Sequence, residues 1–432
     1  MRLLRNEYLK LRESRLFRNT GWMVAGQGTG FLLQAVYFIM LARLLGATQY
    51  GIYAGAFAFT SIAAQYSSLG SGVVLIRYAS GDRKVFAAYW GNILLATCAV
   101  STILIAGLYV LAPHLLNPYS AALVPLAGIS NCFAGQLTVE TGRVFQAFEQ
   151  LRITALLNLL TSLLRTLVVI AMLVVLHHAT AWEWAVASTI VTLIGTALAV
   201  GNVAVRFGWP KFEARVFRKH VVEGLGYSFA GSTTVLYNDV DKTMLSHYGM
   251  NLANGIYSMA YRVVDIASIP ISAINAASIA QFFQRGRSGV TQAASLSNRL
   301  LKRTFPMTIL LSVGMFLAAP LIPLVAGPGF AQSVSALRWL CLIPVFRSVQ
   351  TLSGAALTGA GFQKYRTLAQ VAAAALNFGS NLWLIPAYGW RGAAWSSLAT
   401  DGAMGAMNLW ILQLLVWRET KNAKTATLQA AL

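Results

Sequence analysis

Twelve apolar stretches, each long enough to cross a bilayer, leave this chain almost nothing from which to build a water-soluble domain. They run roughly over residues 20–42, 50–69, 86–112, 119–140, 153–176, 181–204, 222–246, 252–281, 304–325, 333–358, 365–386 and 392–416. A helix needs about 20 apolar residues to span the hydrocarbon core. Backbone polar groups in lipid must be satisfied internally, which selects helices over open strands. Of the residues, 57% are hydrophobic and 11% charged, against roughly 25% charged in soluble domains. The chain reads as an all-α polytopic membrane protein with 12 transmembrane helices.

The cations orient it. All but seven of the 33 Lys and Arg fall before the first stretch or after an even-numbered one. Arg2, Arg5, Lys10, Arg12, Arg15 and Arg18 precede the first, and Arg206, Lys211, Arg215, Arg218 and Lys219 follow the sixth. The opposite gaps hold Arg43 and Arg391 alone. The positive-inside rule places the cation-rich gaps, and with them both termini, in the cytoplasm. The net charge of +20 is therefore a topology signal, and no nucleic-acid partner is predicted. Cys98, Cys132 and Cys341 lie far apart inside spans, so they form neither a disulfide framework nor a zinc spacing. Residues 1–19 read either as a basic amphipathic helix on the anionic inner leaflet or as a basic tail. The first stretch is too long for a cleaved signal peptide and runs into Arg43.

The basic gap at 206–221, with Gly208, Trp209 and Pro210, divides the chain into halves of six spans, 20–205 and 222–417, with a tail at 418–432. ARLLGATQYGIYAGAF (42–57) and MLSHYGMNLANGIYSMAY (244–261) each place Gly-Ile-Tyr at the start of the second span of their half. FEQLR (148–152) and FQKYR (362–366) form a second pair. Because six is even, the halves share one orientation, a repeat pattern found in alternating-access transporters.

The same segments carry a family likeness. LARLLGATQYGIYAGAFAF with LGSGVVLIRYAS (41–59, 69–80), NDVDKTMLSHYGMNLANGIYSMAYRVVD (238–265) and ALTGAGFQKYRTLAQVAAAALNFGSNLWLIPAYGWRGAAWSS (356–397) resemble the bacterial polysaccharide-exporter, or oligosaccharide flippase, family. That family belongs to the multidrug/oligosaccharidyl-lipid/polysaccharide exporter superfamily. The resemblance implies two six-helix lobes around a central cavity. It also implies a cargo: an oligosaccharide linked to undecaprenyl pyrophosphate, moved from the cytoplasmic to the outer leaflet.

Charges inside spans are costly and face a cavity or a partner. Five cations lie there: Arg165, Lys242, Arg262, Arg338 and Arg347. Arg262 lies ten residues into the eighth span, near the midplane, with Arg165 and Asp401 similarly deep in theirs. A guanidinium suits a pyrophosphate head because it offers bidentate geometry. Arg262 also has a structural reading, an ion pair with Asp265 three residues on, and the two roles are compatible. Arg347, Arg165 and Arg77 complete the substrate-binding candidates. Arg165 is expected to pair with an acid on a neighbouring helix, and Arg77 to meet phosphate on the cytoplasmic side or to snorkel. Asp265, Asp239, Asp241 and Asp401 are candidates for ion pairing or for a coupling proton or cation. Asp239 is expected to bridge to Lys242, and Glu140 to Arg143. Lys242 itself, near the outer end of its span, is explained by snorkelling. Arg338 and Arg347, nine apart, fall on roughly opposite faces of one helix.

GQGTG (26–30) reads as small-residue helix packing, since no Lys-Ser/Thr follows it. His177 and His178 make a poor metal site without a third ligand. No catalytic constellation, metal site or cofactor site is predicted, and no enzymatic activity. The expected protein is a lipid-linked oligosaccharide flippase of the bacterial inner membrane, serving lipopolysaccharide or exopolysaccharide synthesis. Its expected partners are the polyprenyl-pyrophosphate-linked cargo, membrane lipid and a polysaccharide polymerase. The alternatives are an ion-coupled multidrug antiporter of the same superfamily and a non-transporting component of a polysaccharide synthase complex. The antiporter favours a carboxylate in the early spans, and the first three contain none.

Overall fold

The computed structural model describes the backbone of residues 2–80 and 82–430, and the side chains of residues 33–80, 82–422 and 425. The amphipathic reading of residues 1–19 and the GQGTG stretch lie outside the described side chains. Two compact units divide the chain, Met1–Ser232 and Thr233–Leu432.

Unit 1 holds α1 (Arg2–Ala64), α2 (Ser71–Ala79) and α3 (Arg83–Leu115). Next come α4 (Pro118–Gly128), a π-helical segment (Ile129–Gly135) and α5 (Gln136–Ala147), then α6 (Leu151–Leu176), α7 (Ala181–Phe207) and the first part of α8 (Ala214–His247). Unit 2 holds the rest of α8, then α9 (Asn251–Ala267), α10 (Ile269–Gly286), α11 (Val290–Ala318), α12 (Leu321–Ala326), α13 (Ser333–Leu340), α14 (Ile343–Gly359), α15 (Gln363–Tyr388) and α16 (Trp390–Ala430).

Each apolar stretch of the sequence falls on one of these helices or on a broken pair of them. Gly46, at φ 67°, interrupts α1 where the first stretch gives way to the second. Glycine reaches that left-handed backbone without a Cβ penalty. Among the described residues, eight helices are long and apolar enough to cross a membrane, or nine if the bent pair α9–α10 counts as one. The helices α8 and α16 are too polar to join that set, and they are the ones that carry Asp239, Asp241, Lys242 and Asp401. The protein is multi-pass, as its composition demands.

The packing is that of a protein dissolved in lipid. On α6, Leu156, Leu160, Leu163, Leu167, Ile170 and Val174 form an exposed stripe at helical spacing. The interior of unit 1 is correspondingly polar. Asn131, on the π-helical segment, donates to Phe57 O at 3.1 Å and to Thr60 Oγ1 at 2.8 Å, and Ser130 meets Thr189 at 2.8 Å. A π-helical turn widens the helix at one point and is frequent at functional sites. Here it aims Asn131 at α1.

Small residues allow the closest approaches. Gly70, at φ 65° in the α1–α2 junction, faces α8, and a Cβ there would sit 2.0 Å from Gly224 O. Gly70→Ala therefore meets both a left-handed backbone and a backbone clash. We expect it to destabilise unit 1 by about 2–4 kcal/mol, read as a lower thermal midpoint in detergent. Gly107→Ala, with nothing within 4 Å of the added Cβ, is expected to be nearly silent.

Candidate functional site: a charged cluster in unit 2

Four helices of unit 2 bring the site together. The C-terminal half of α8 supplies Asn238, Asp239, Asp241 and Lys242. The end of α9 supplies Tyr257, Tyr261, Arg262 and Asp265. Pro270 opens α10, which leaves α9 at a 42° bend, so the helix stops at Ser268 just past these residues. From α14 comes Arg347, and α16 adds Ser397 and Asp401.

Arg347 organises the cluster. Its Nη1 donates to Asp265 Oδ1 at 3.0 Å and to Ser268 Oγ at 3.5 Å. Its Nη2 donates to Tyr261 OH at 3.0 Å and to Asn238 Oδ1 at 3.4 Å. The guanidinium carbon lies 5.3 Å from the centre of the Tyr261 ring. The Arg347 side chain is 18% exposed. Arg262 differs: its Nη1 is 3.7 Å from Asp265 Oδ2, and both side chains are 41% exposed. Asp265 is thus shared unequally, one oxygen held by the half-buried Arg347 and the other near the more exposed Arg262. The expected Arg262–Asp265 pair is present but long, and the shorter bond to Asp265 belongs to α14.

Lys242 donates to Asp239 Oδ1 at 2.5 Å, as the sequence reading expected, and to Asn238 O at 2.9 Å. Its ammonium lies 4.8 Å from the Tyr261 ring centre. The snorkelling expectation for Lys242 is wrong. The residue is buried, because the carboxylate one turn back and the Asn238 carbonyl turn its ammonium inward. Asp241, fully buried, accepts hydrogen bonds from Tyr257 OH, from Ser397 Oγ at 3.1 Å and from the Lys242 backbone N–H at 2.7 Å. Asp401 is also buried, and its Oδ1 has no hydrogen-bond partner among the described residues. The cluster holds Asp239, Asp241, Asp265 and Asp401 against Lys242, Arg262 and Arg347. One carboxylate is in excess.

The two remaining arginine candidates belong to unit 1 and share no partner with each other. Arg165 donates to Thr192 Oγ1 at 2.8 Å, across from α6 to α7. The acid expected to pair with it is absent among the described residues: Thr192, already bonded back to Ser188 O, fills that place on α7. Arg77 pairs with Glu223 Oε1 at 2.5 Å. The expected Glu140–Arg143 bridge forms at 2.7 Å. Ser68, distant in sequence, joins it, donating to Glu140 Oε1 at 2.6 Å. Arg338 and Arg347 stand on separate helices, α13 and α14, where one continuous helix was expected. Tyr261, Asn238 and Ser397 were missed as site residues. The sequence does carry a sign of the first: Tyr257, Tyr261 and Asp265 recur every four residues, one face of a helix.

The architecture is that of a known class of transporter. The chain aligns with an inward-facing multidrug resistance MATE family transporter of the MOP superfamily at TM-score 0.73 and 13% identity, covering 91% of this chain and 95% of that one. It aligns with an outward-facing member at TM-score 0.59 and 14% identity, covering 94% and 96%. A MOP superfamily transporter from Pyrococcus furiosus, described as having a binding pocket of reverse polarity, matches at TM-score 0.59 and 14% identity over 93% and 96%. At such identities the likeness establishes the fold alone. No curated protein sequence is significantly similar to this chain. The family model described as polysaccharide biosynthesis protein matches residues 16–284. The chain belongs to that family, in agreement with the resemblance carried by its sequence segments.

Proposed function

We propose that this protein flips an undecaprenyl-pyrophosphate-linked oligosaccharide across the bacterial cytoplasmic membrane by alternating access, for surface polysaccharide synthesis. The observation that carries the reading is the unequal sharing of Asp265. An anionic head needs a cation that is fixed in place yet available, and a neighbouring carboxylate would repel it. Arg347 holds Asp265 at 3.0 Å and offsets its charge, which lowers the repulsion that carboxylate would exert on a phosphate bound by the more exposed Arg262 guanidinium. Arg347 is then a positioning residue and Arg262 the headgroup ligand. The polyprenyl tail stays in lipid while the sugars and pyrophosphate cross.

Asp401 is our candidate for coupling. A buried carboxylate in excess of its neighbouring cations is stabilised by taking up a proton or a monovalent cation. Asp239 and Asp241 are committed to Lys242, Tyr257 and Ser397, which makes them structural supports of that step. A polysaccharide polymerase that consumes the flipped product is the proposed downstream partner, and the protein itself performs no enzymatic step. A multidrug antiporter favours a carboxylate in the early spans, and the first three contain none.

Deleting the gene in a strain without a second flippase is expected to trap undecaprenyl-linked repeat units on the cytoplasmic leaflet and to remove the surface polysaccharide. Accessibility of the lipid-linked sugar to a membrane-impermeant probe measures this. Unchanged surface polysaccharide would refute the assignment.

A further inference from the structure

Unit 1 contains a second anion cradle, filled by one of the protein's own carboxylates. Glu223 opens the apolar part of α8, and donors from two helices converge on it. Arg77 Nη1 donates to its Oε1 at 2.5 Å, Tyr227 OH to the same oxygen at 3.2 Å, and Tyr78 OH to its Oε2 at 3.0 Å. His220 Nδ1 stands 3.8 Å from Oε2. The Tyr78 ring lies 4.3 Å from the His220 ring, and the Arg77 guanidinium lies 5.3 Å from the Tyr78 ring centre. The cradle is held rigidly from behind. Gly224, next along α8, meets Gly70 backbone to backbone at the start of α2, and Tyr66 OH bonds Ser232 Oγ at 2.7 Å farther along the same helix.

Stability does not account for this convergence. The Arg77 side chain is 58% exposed, and exposed ion pairs contribute little because water competes for both charges. The same weakness makes Glu223 easy to displace. A guanidinium flanked by two phenols is a donor set suited to phosphate, which offers more acceptor oxygens than a carboxylate. The site lies in the gap that the cation distribution assigns to the cytoplasm, where cargo is loaded.

We propose that Glu223 is an internal stand-in for a phosphate, and that the Arg77–Tyr78–Tyr227 cradle is a loading site where a lipid-linked pyrophosphate displaces it. This rests on the flippase reading and adds a site to it. Loading then replaces the Arg77–Glu223 and Tyr78–Glu223 bonds with bonds to the phosphate, which Tyr227 holds from α8.

The test uses the full-length protein in phosphatidylcholine nanodiscs, with farnesyl pyrophosphate as the probe. Glu223→Gln keeps the side chain's shape but removes the competing charge, and is expected to tighten the probe's Kd about two- to fivefold. Arg77→Ala in that background is expected to weaken binding about tenfold or more. Tyr227→Phe, which leaves the ion pair intact, should weaken it about threefold in either background. An unchanged or weaker Kd in Glu223→Gln, or no binding at all, overturns the cradle. An equal gain for inorganic pyrophosphate overturns its assignment to a lipid-linked head, as does full competition by phosphatidylglycerol added to the discs. A tightened Kd beside normal surface polysaccharide in the deletion strain would keep the cradle and sink the flippase reading. The reverse pair of results would do the opposite.

Discussion

Arg347→Ala is expected to lower the stability of unit 2 by roughly 3 kcal/mol. The substitution strips Asp265, Tyr261, Asn238 and Ser268 of a shared donor in one step. Breaking a fully buried pair costs about 3–5 kcal/mol. Asp265 is 41% exposed, so part of its lost interaction is recovered through Arg262 and through water, which favours the lower end. The sharper measurement is a double-mutant cycle on thermal midpoints. If the penalty arises from an uncompensated carboxylate, Asp265→Asn in the Arg347→Ala background should restore about 1 kcal/mol or more. Additive losses would mean that Arg347 acts through packing alone. Arg347→Ala should also depress transport beyond its effect on protein level, because the freed Asp265 would draw Arg262 toward itself and away from cargo.

What the sequence discloses about this site follows contact range. Pairs three residues apart on one helix were legible: Glu140 with Arg143, Asp239 with Lys242, Arg262 with Asp265. Helical spacing alone brings such side chains together. The spans were legible for a similar reason, since length and hydropathy are properties of the chain read locally. Contacts between helices were not. Counting residues from the start of a span put Arg262 near the midplane, but Arg347 gained its importance from reaching from α14 to the end of α9. No local pattern announces that reach. Lys242 was misread because distance from the span's end says nothing about which way a side chain turns. For Arg165 the sequence signals a need for a partner but leaves its kind open, and here Thr192 serves. The helices α8 and α16 carry the complementary lesson: their poor hydropathy as spans reflects the Asp239, Asp241, Lys242 and Asp401 that they bring to the charged site.

Arg262→Ala is expected to abolish most transport while leaving the protein folded and inserted. The contact it gives up to Asp265 is 3.7 Å long between two side chains that are each 41% exposed. Such a pair is worth under about 1 kcal/mol. The cost to cargo binding is larger. Charge-assisted hydrogen bonds contribute about 1.5–3 kcal/mol, which corresponds to roughly a ten- to hundredfold loss of affinity for the pyrophosphate head. Arg262→Lys separates charge from geometry: an ammonium supplies the point charge but lacks the planar fork that binds two phosphate oxygens at once. Partial transport in the lysine variant, with none in the alanine variant, is the result expected if the arginine binds phosphate directly. Surface polysaccharide in a complemented deletion strain reports transport, and the level of full-length protein in the membrane controls for insertion. Normal transport in Arg262→Ala would move the headgroup site away from the end of α9. The opposed pair of outcomes, stability lost at Arg347 and transport lost at Arg262, is what one carboxylate shared between a holding and a binding arginine requires.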